Sequence, residues 1–334
     1  MHILIPDSRL PTPDSHHELM VAEATQTARA EGKLQNRQLR AYGALALGAL
    51  CIGFSAIFTK WANVAGPVSG FYRVIIATSV LALPFTFHLL RSRGKTRAAG
   101  GAAQPGALSF TGPLLVGCAL AGFFFAADLG LWNTSLQFTS AANSTLLGNT
   151  STLWVSLGAT FFFGVALRRR FWAGMLFALM GAVIIVGRDA FEHPHLGWGD
   201  LLAVGSSLFY AGYILNTQRV RQNVDTLSFM WLSSASASVL LLAFCLTTGL
   251  KMTGFSTDTW LSLAALGVIS HVIGWMSINY ALGHLPAPIT AVSLLSQPLV
   301  TAIASVYLLN EPLSIYQIGG GALVLLGIYI VNRR

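Results

Sequence analysis

Two stretches of this chain can be laid on each other without a gap: Gly174-Met-Leu-Phe-Ala-Leu-Met-Gly181-Ala-Val-Ile184 and Gly320-Gly-Ala-Leu-Val-Leu-Leu-Gly327-Ile-Tyr-Ile330. The offset is 146 residues. Extended upstream, it also brings Asn133, Leu136, Ala141, Leu153 and Leu167 onto Asn279, Leu282, Ala287, Leu299 and Leu313, which makes nine identities across 52 positions. A second offset, of 157, brings Leu45, Ala46, Gly48 and Ile57 onto Leu202, Ala203, Gly205 and Ile214. The order of matched segments is the same in both halves, so the chain reads as a duplicated unit.

What is duplicated is apolar. Hydrophobic residues make up 54% of the 334, charged residues 10%, and the mean hydropathy is +0.63. A soluble domain carries about 25% charge. Composition therefore excludes a soluble enzyme, a disordered protein and a coiled coil. Runs such as Val74–Phe87 and Val239–Leu246 do not alternate, as strands of a membrane barrel would. A helix needs about 20 apolar residues to cross the hydrocarbon core. Ten segments meet that need, over 42–61, 67–90, 112–135, 140–163, 171–188, 199–218, 226–249, 258–280, 286–309 and 315–331. The expected fold class is all-α integral membrane, with ten transmembrane helices arranged as two inverted five-helix repeats. Residues 1–41 are read as a mostly disordered cytoplasmic tail, 42–188 as the first repeat and 199–331 as the second.

Charge orients the chain. Placing the N-terminus in the cytoplasm puts 16 of the 20 Lys and Arg on that side. That is the positive-inside pattern, and it sets both termini in the cytoplasm of an inner-membrane protein. The net charge of +8 is assigned to these loops rather than to nucleic acid. Five helices per unit is odd, so the second unit enters from the opposite side. Inverted repeats are a signature of secondary transporters, whose substrate site lies at the midplane between the halves.

The segment Glu311-Pro-Leu-Ser-Ile-Tyr-Gln-Ile-Gly-Gly-Gly-Ala-Leu-Val-Leu-Leu-Gly-Ile-Tyr resembles the closing helix of the EamA-type repeat. Asn279-Tyr-Ala-Leu through Ala291 to Pro298, Gly70-Phe-Tyr-Arg73 and Gly174 through Gly187 resemble further parts of it. The chain is similar, over about 42–331, to that family of the drug/metabolite transporter superfamily. One position departs: Val165 stands where the family often has Glu. The resemblance implies ten helices and a proton- or exchange-driven carrier of small metabolites, often an exporter of amino acids or drugs.

Candidate site residues follow from what lipid penalises. Asp128 is the only carboxylate deep in a span and should face the interior. It reads either as a proton-coupling or cation-binding group, or as a helix-packing hydrogen-bonder. Trp132 lies one turn on, on the same face. His271 sits mid-span with Trp275 and Asn279 following at i+4 and i+8. It reads as a proton carrier or as a structural donor. Thr290, Ser293, Gln297 and Thr301 form one polar face of the ninth span. Asn143, Asn149, Thr150 and Trp154 occupy the fourth, and Ser206, Tyr210, Tyr213 and Thr217 the sixth. Each stripe is either interhelical glue or the wall of a central cavity suited to an amphipathic zwitterion or aromatic cation. Arg73 either snorkels to the interface or meets a substrate carboxylate. Pro298 is a candidate break or hinge.

Cys51, Cys118 and Cys245 each sit in an apolar run and read as small hydrophobes. Glu192-His193-Pro-His195 resembles a metal site only superficially, so no metal or cofactor is expected. No Gly-x4-Gly-Lys-Ser/Thr, HExxH or GxSxG occurs. The expected partners are a small-molecule substrate, protons and the bilayer, and a homodimer is left open. The alternatives carried are a non-transporting receptor or scaffold and, behind it, an intramembrane enzyme.

Overall fold

The computed structural model describes residues 32, 35–98, 111–135, 138–139, 141–186, 197–308 and 314–333, without the side chains of 93–98, 141–143 and 305. The expected tail up to residue 31, the Gly/Ala-rich stretch 99–105 and the Glu192–His195 cluster lie outside the described residues.

The described residues form helical rods, numbered here in chain order. They are α1 (Gln35–Ala62), α2 (Gly66–Ala98), α3 (Gly112–Ser135), α4 (Ala141–Asn149 and Ser151–Phe163) and α5 (Arg169–Val186). Then come α6 (Trp198–Val220), α7 (Thr226–Thr247), α8 (Thr257–Leu282), α9 (Ala287–Leu294 and Gln297–Leu308) and α10 (Ile315–Asn332). Seven are long and apolar enough to cross a membrane: α1, α2, α3, α7, α8, α9 and α10. The other three hold Asn149 and Thr150 (α4), Arg169 and Arg170 (α5), or Asp200, Ser206 and Ser207 (α6). Large apolar side chains such as Leu83, Phe161, Phe162 and Leu176 stand on the outside of the bundle, more than half exposed. That is the reverse of a water-soluble surface.

Helix starts use ordinary chemistry. Asp225 and Ser256 accept from the backbone N–H three residues on, at 3.0 and 3.2 Å, and open α7 and α8. Ser314 and Gln317 form a reciprocal capping box at α10.

Packing pairs elements across the offset of 146. α5 and α10 run antiparallel along each other in the most extensive helix–helix contact among the described residues. A Cβ added at Gly181 would stand 2.5 Å from the Gly320 carbonyl oxygen, and one at Gly174 would stand 2.8 Å from that of Gly327. The glycines that revealed the repeat are therefore the ones that let these backbones approach. α2 packs on α7, and α3 on both α6 and α7, while α8 packs on α1 and α2.

α4 and α9 are both interrupted, and at matching places. Ala141 and Ala287, their first residues, are 146 apart. So are Thr150 and Ser296, the residues at the breaks. Thr150 Oγ1 donates to the Leu147 carbonyl at 2.5 Å, and Ser296 Oγ to the Ser293 carbonyl at 2.8 Å, again 146 apart. A hydroxyl that bonds back to its own backbone competes with the helix ladder. Pro298 adds a missing N–H just after the second break. It is not required for a break, since Thr152 stands at the matching place in α4.

The two ends of the bundle differ. At one end, called here the sealed end, the last residues of α6 and α8 meet the first of α7 and α9. Gln218 Oε1 accepts from the Ala287 N–H at 3.2 Å, and Asn216 Nδ2 donates to the Gly117 carbonyl, early in α3, at 2.8 Å. His88 of α2 meets Asp225 at 3.5 Å. At the other end Thr139, in the α3–α4 turn, donates to Asp200 of α6 at 2.7 Å. Tyr72 of α2 donates there to the Met252 carbonyl, just after α7, at 2.6 Å. α6 thus begins at the end where α1 finishes.

Candidate functional site

Between the helices lies a half-open cavity of about 750 Å³. Its walls come from the last turns of α1 (Ser55–Lys60), the first of α2 (Ser69–Arg73) and the second half of α3 (Phe125–Asn133). α4 and α9 contribute the residues around their breaks, Gly148–Thr152 and Leu294–Pro298, and α10 contributes Gln317 near its start. These segments place the mouth at the end opposite the sealed one.

Six of the ten sequence candidates line this cavity: Asp128, Trp132, Asn149, Tyr210, Trp275 and Gln297. Asp128 Oδ1 accepts from Ser206 Oγ of α6 at 2.5 Å. Tyr210, midway along α6, is within hydrogen-bond reach of Gln297 at the α9 break. Trp275 stacks edge-on against Phe125, Tyr210 and Tyr213, with ring centroids 5.0, 5.9 and 5.1 Å apart. The Phe125, Tyr210 and Trp275 rings form the floor. Asn149 Nδ2 and Trp275 Nε1 have no hydrogen-bond partner.

Three candidates sit elsewhere. His271 is 3% exposed, behind Phe125, in a tight crevice with Tyr213, Ser233 and Ser234 that has no room for a water. Its Nε2 pairs with Ser234 Oγ at 3.0 Å. Residues 266–275 form a π-helix. His271 and Trp275 both meet the Phe125 ring, with centroids 5.3 and 5.0 Å apart, but only Trp275 reaches the cavity, because Phe125 stands between it and His271. Tyr213 and Asn279 lie below the floor, in the sealed end, where the tyrosine hydroxyl donates to Asn279 Oδ1 at 3.0 Å. Asn143 has its side chain outside the described residues.

Much of the α9 stripe turns back on its own helix. Thr290 and Ser293 donate to the Pro286 and Ile289 carbonyls, at 3.3 and 2.9 Å. Thr301 also reaches the Gly53 carbonyl of α1, at 2.7 Å. In α4, Thr150 and Trp154 both donate to Ser207 of α6 at 3.0 Å, which is interhelical glue.

Arg73 does not snorkel. It is 9% exposed, lines the cavity, and donates from Nη1 to Ser55 Oγ at 3.1 Å, while its Nε has no acceptor.

Sequence reasoning did not foresee the role of Arg221. In the turn after α6 its Nε donates to the Asn279 carbonyl at 3.0 Å, one Nη donates to the Val224 carbonyl and the other to Thr226 Oγ1 at 2.6 Å. Burial lowers its pKa from the ordinary arginine value, and Asp225 opposes that. Two of its partners are backbone carbonyls, which leave no mark in the sequence. Asn279 and Asn133 are equivalent under the offset, yet Asn133 lines the mouth and Asn279 is fully buried under Arg221.

Long apolar helices with lipid-suited exteriors, gathered round a half-open cavity of mixed polar and apolar lining, define a multi-pass membrane protein with room for a small molecule. The chain belongs to the EamA-like transporter family, which matches residues 39–187 and again 197–333. It is 27% identical over 203 residues to an uncharacterized transporter of Archaeoglobus fulgidus, a match covering 60% of this chain and 70% of that one. It is 22% identical over 203 residues to the uncharacterized transporter YyaM of Bacillus subtilis, covering 59% and 66%. A solved crystal structure superposes on 89% of the chain with a TM-score of 0.65 and 18% identity, covering 97% of its own length. That likeness is one of fold.

Proposed function

We propose that this protein is a secondary carrier of small amphipathic metabolites, built from two inverted five-helix units and working by alternating access. The observation that carries the proposal is the cavity: polar, aromatic-walled, open at one end and sealed at the other, inside a chain of a transporter family. The matched breaks of α4 and α9 support the two-unit reading, as do the Gly174–Gly327 and Gly181–Gly320 contacts and the two separate family matches. Discontinuous helices at a repeat interface are where such carriers hold substrate. The equivalent Asn133 and Asn279 supply the switch logic. If the two units exchange conformations, Asn279 comes to line an opening and Asn133 becomes buried.

In this reading the sealed end and both termini face the cytoplasm and the mouth faces outward, which the excess of Lys and Arg in the loops of the sealed end supports. For an exporter this is the state that has just released its load. Asp128 is the group through which protons couple to the cycle. A scaffold or receptor has no use for such a cavity.

The test is efflux from proteoliposomes loaded with a mixed pool of amino acids, nucleosides and cationic dyes, with and without a pH gradient. Saturable, protein-dependent loss of one class supports the carrier. No loss of any solute under either condition overturns it.

A further inference from the structure

One corner of the sealed end is crowded with positive charge. Gly164 ends α4 with φ 63°, and the non-helical link 164–168 carries the chain into α5. Arg168, Arg169 and Arg170 stand in a row at the start of that helix. Leu167 and Phe171, which bracket them, pack in one apolar cluster with Ile328 and Val331 from the last turns of α10. The antiparallel crossing therefore brings Arg333, just past the end of α10, to the same corner. All four arginines are exposed. Arg170 is already engaged, but the side chains of Arg168, Arg169 and Arg333 make no hydrogen bond or ion pair among the described residues.

Membrane orientation alone does not call for this arrangement. Positive charge anywhere in a short loop orients a chain, whereas cations in the first turn of a helix oppose its dipole. α5 has no acidic residue in that turn. The second unit shows the ordinary solution. The offset of 146 lays Ser314 and Gln317 on Arg168 and Phe171, and in α10 those two residues cap the helix start from within the chain. From Gly164 to Phe171 no side chain carries an acceptor. An anion from outside supplies both missing parts, acceptor oxygens for the guanidinium groups and negative charge at the positive helix end. The flanking surface points to the source of that anion. Phe161 and Phe162, in the last turn of α4, are 80% and 81% exposed, and Leu176 of α5 and Tyr329 of α10 are more than half exposed. Such a flank suits acyl chains rather than water. A charged head on an apolar body is the chemistry of an anionic phospholipid.

We propose that this corner binds an anionic phospholipid of the leaflet at the sealed end, its phosphate held by Arg168, Arg169 and Arg333 and its acyl chains against Phe161, Phe162 and the outer face of α5. The site lies apart from the central cavity. It rests on the chain's spanning a membrane and not on the carrier reading.

The purified full-length chain in dodecyl maltoside micelles tests it by titration with dioleoyl phosphatidylglycerol or dioleoyl phosphatidylcholine. Retained lipid is read by native mass spectrometry, and thermal unfolding is followed in parallel. Phosphatidylglycerol binds saturably and about tenfold or more tightly than phosphatidylcholine, since each arginine near an anionic headgroup adds to the attraction. In R168Q/R169Q/R333Q the preference falls to about threefold or less. In R91Q/R219Q, which removes exposed charge elsewhere at the sealed end, the preference is retained. It is a ratio read within one variant, so a general loss of stability does not imitate it. Equal binding of the two lipids, a preference kept in the triple variant, or a preference lost equally in R91Q/R219Q overturns the proposal. Glycerol phosphate that protects the fold as well as the lipid does would also overturn it, because the corner would then take a free anion rather than a bilayer lipid.

Discussion

Replacing the Asp128 carboxylate by an amide leaves the cavity with the uncompensated charge of Arg73. We expect D128N to lower saturable flux in proteoliposomes about tenfold or more, and to flatten its response to an imposed pH gradient. The other titratable or charged side chains lining that space are Arg73, Lys60 and Tyr210. A response flattened in D128N points to Asp128 as the coupling group. His271 behaves differently, because Phe125 separates it from the cavity. H271N is expected to keep flux within about threefold of the parent and to keep the pH response. A flat pH profile in H271N with a normal one in D128N would reverse the two roles. Arg221 is the third residue with a distinct signature. Its guanidinium makes three hydrogen bonds at the sealed end, and charge-assisted bonds contribute about 1.5–3 kcal/mol each before compensation. R221A should therefore destabilise the protein by about 2–4 kcal/mol in denaturant titration. It should also raise thiol labelling of a cysteine at position 279. Unchanged labelling would mean that the seal does not depend on this network.

Among the elements, the α5–α10 crossing is the sharpest test of packing. G181A places a Cβ about 2.5 Å from the Gly320 carbonyl oxygen, where only backbone could give way. Overpacking of this kind costs about 1–3 kcal/mol. G130A, in α3, meets nothing within 4 Å and should be neutral or gain up to about 1 kcal/mol of helix propensity. Thermal unfolding of the two variants side by side checks the pair, and equal effects would count against the crossing. This crossing was legible in the sequence because Gly-x6-Gly recurs at a fixed offset, and close helix packing in lipid leaves that mark. The cavity wall was legible for a similar reason: Asp128, Trp132, Asn149, Tyr210, Trp275 and Gln297 are polar or aromatic where lipid would expel polarity. Periodicity placed His271 on the right side of its helix but could not show that the Phe125 ring of α3 would stand between it and the cavity. The breaks in α4 and α9 were half legible. Pro298 pointed to one, but Thr150 and Ser296, the hydroxyls common to both, are ordinary residues whose effect depends on the carbonyls they reach.

Across the whole molecule, charge and packing make separate predictions that must agree. In the proposed orientation, with the sealed end and both termini inside, a fluorescent protein fused after Arg334 should fold and glow, and alkaline phosphatase fused there should stay inactive. The opposite pattern would invert the orientation while leaving the fold untouched. The deeper claim is that the two units move against each other so that one end opens as the other closes. Electron-spin distance measurements on one reconstituted protein test it most directly. Buried Cys51, Cys118 and Cys245 are first replaced. One label pair then spans the mouth, at positions 61 and 316, and another spans the sealed end, at positions 88 and 223. The account predicts two populations at each end, with the mouth distance shortening as the sealed-end distance lengthens when a transported solute or a pH gradient is applied. A single fixed distance at both ends under conditions that support flux, or both distances lengthening together, would contradict it.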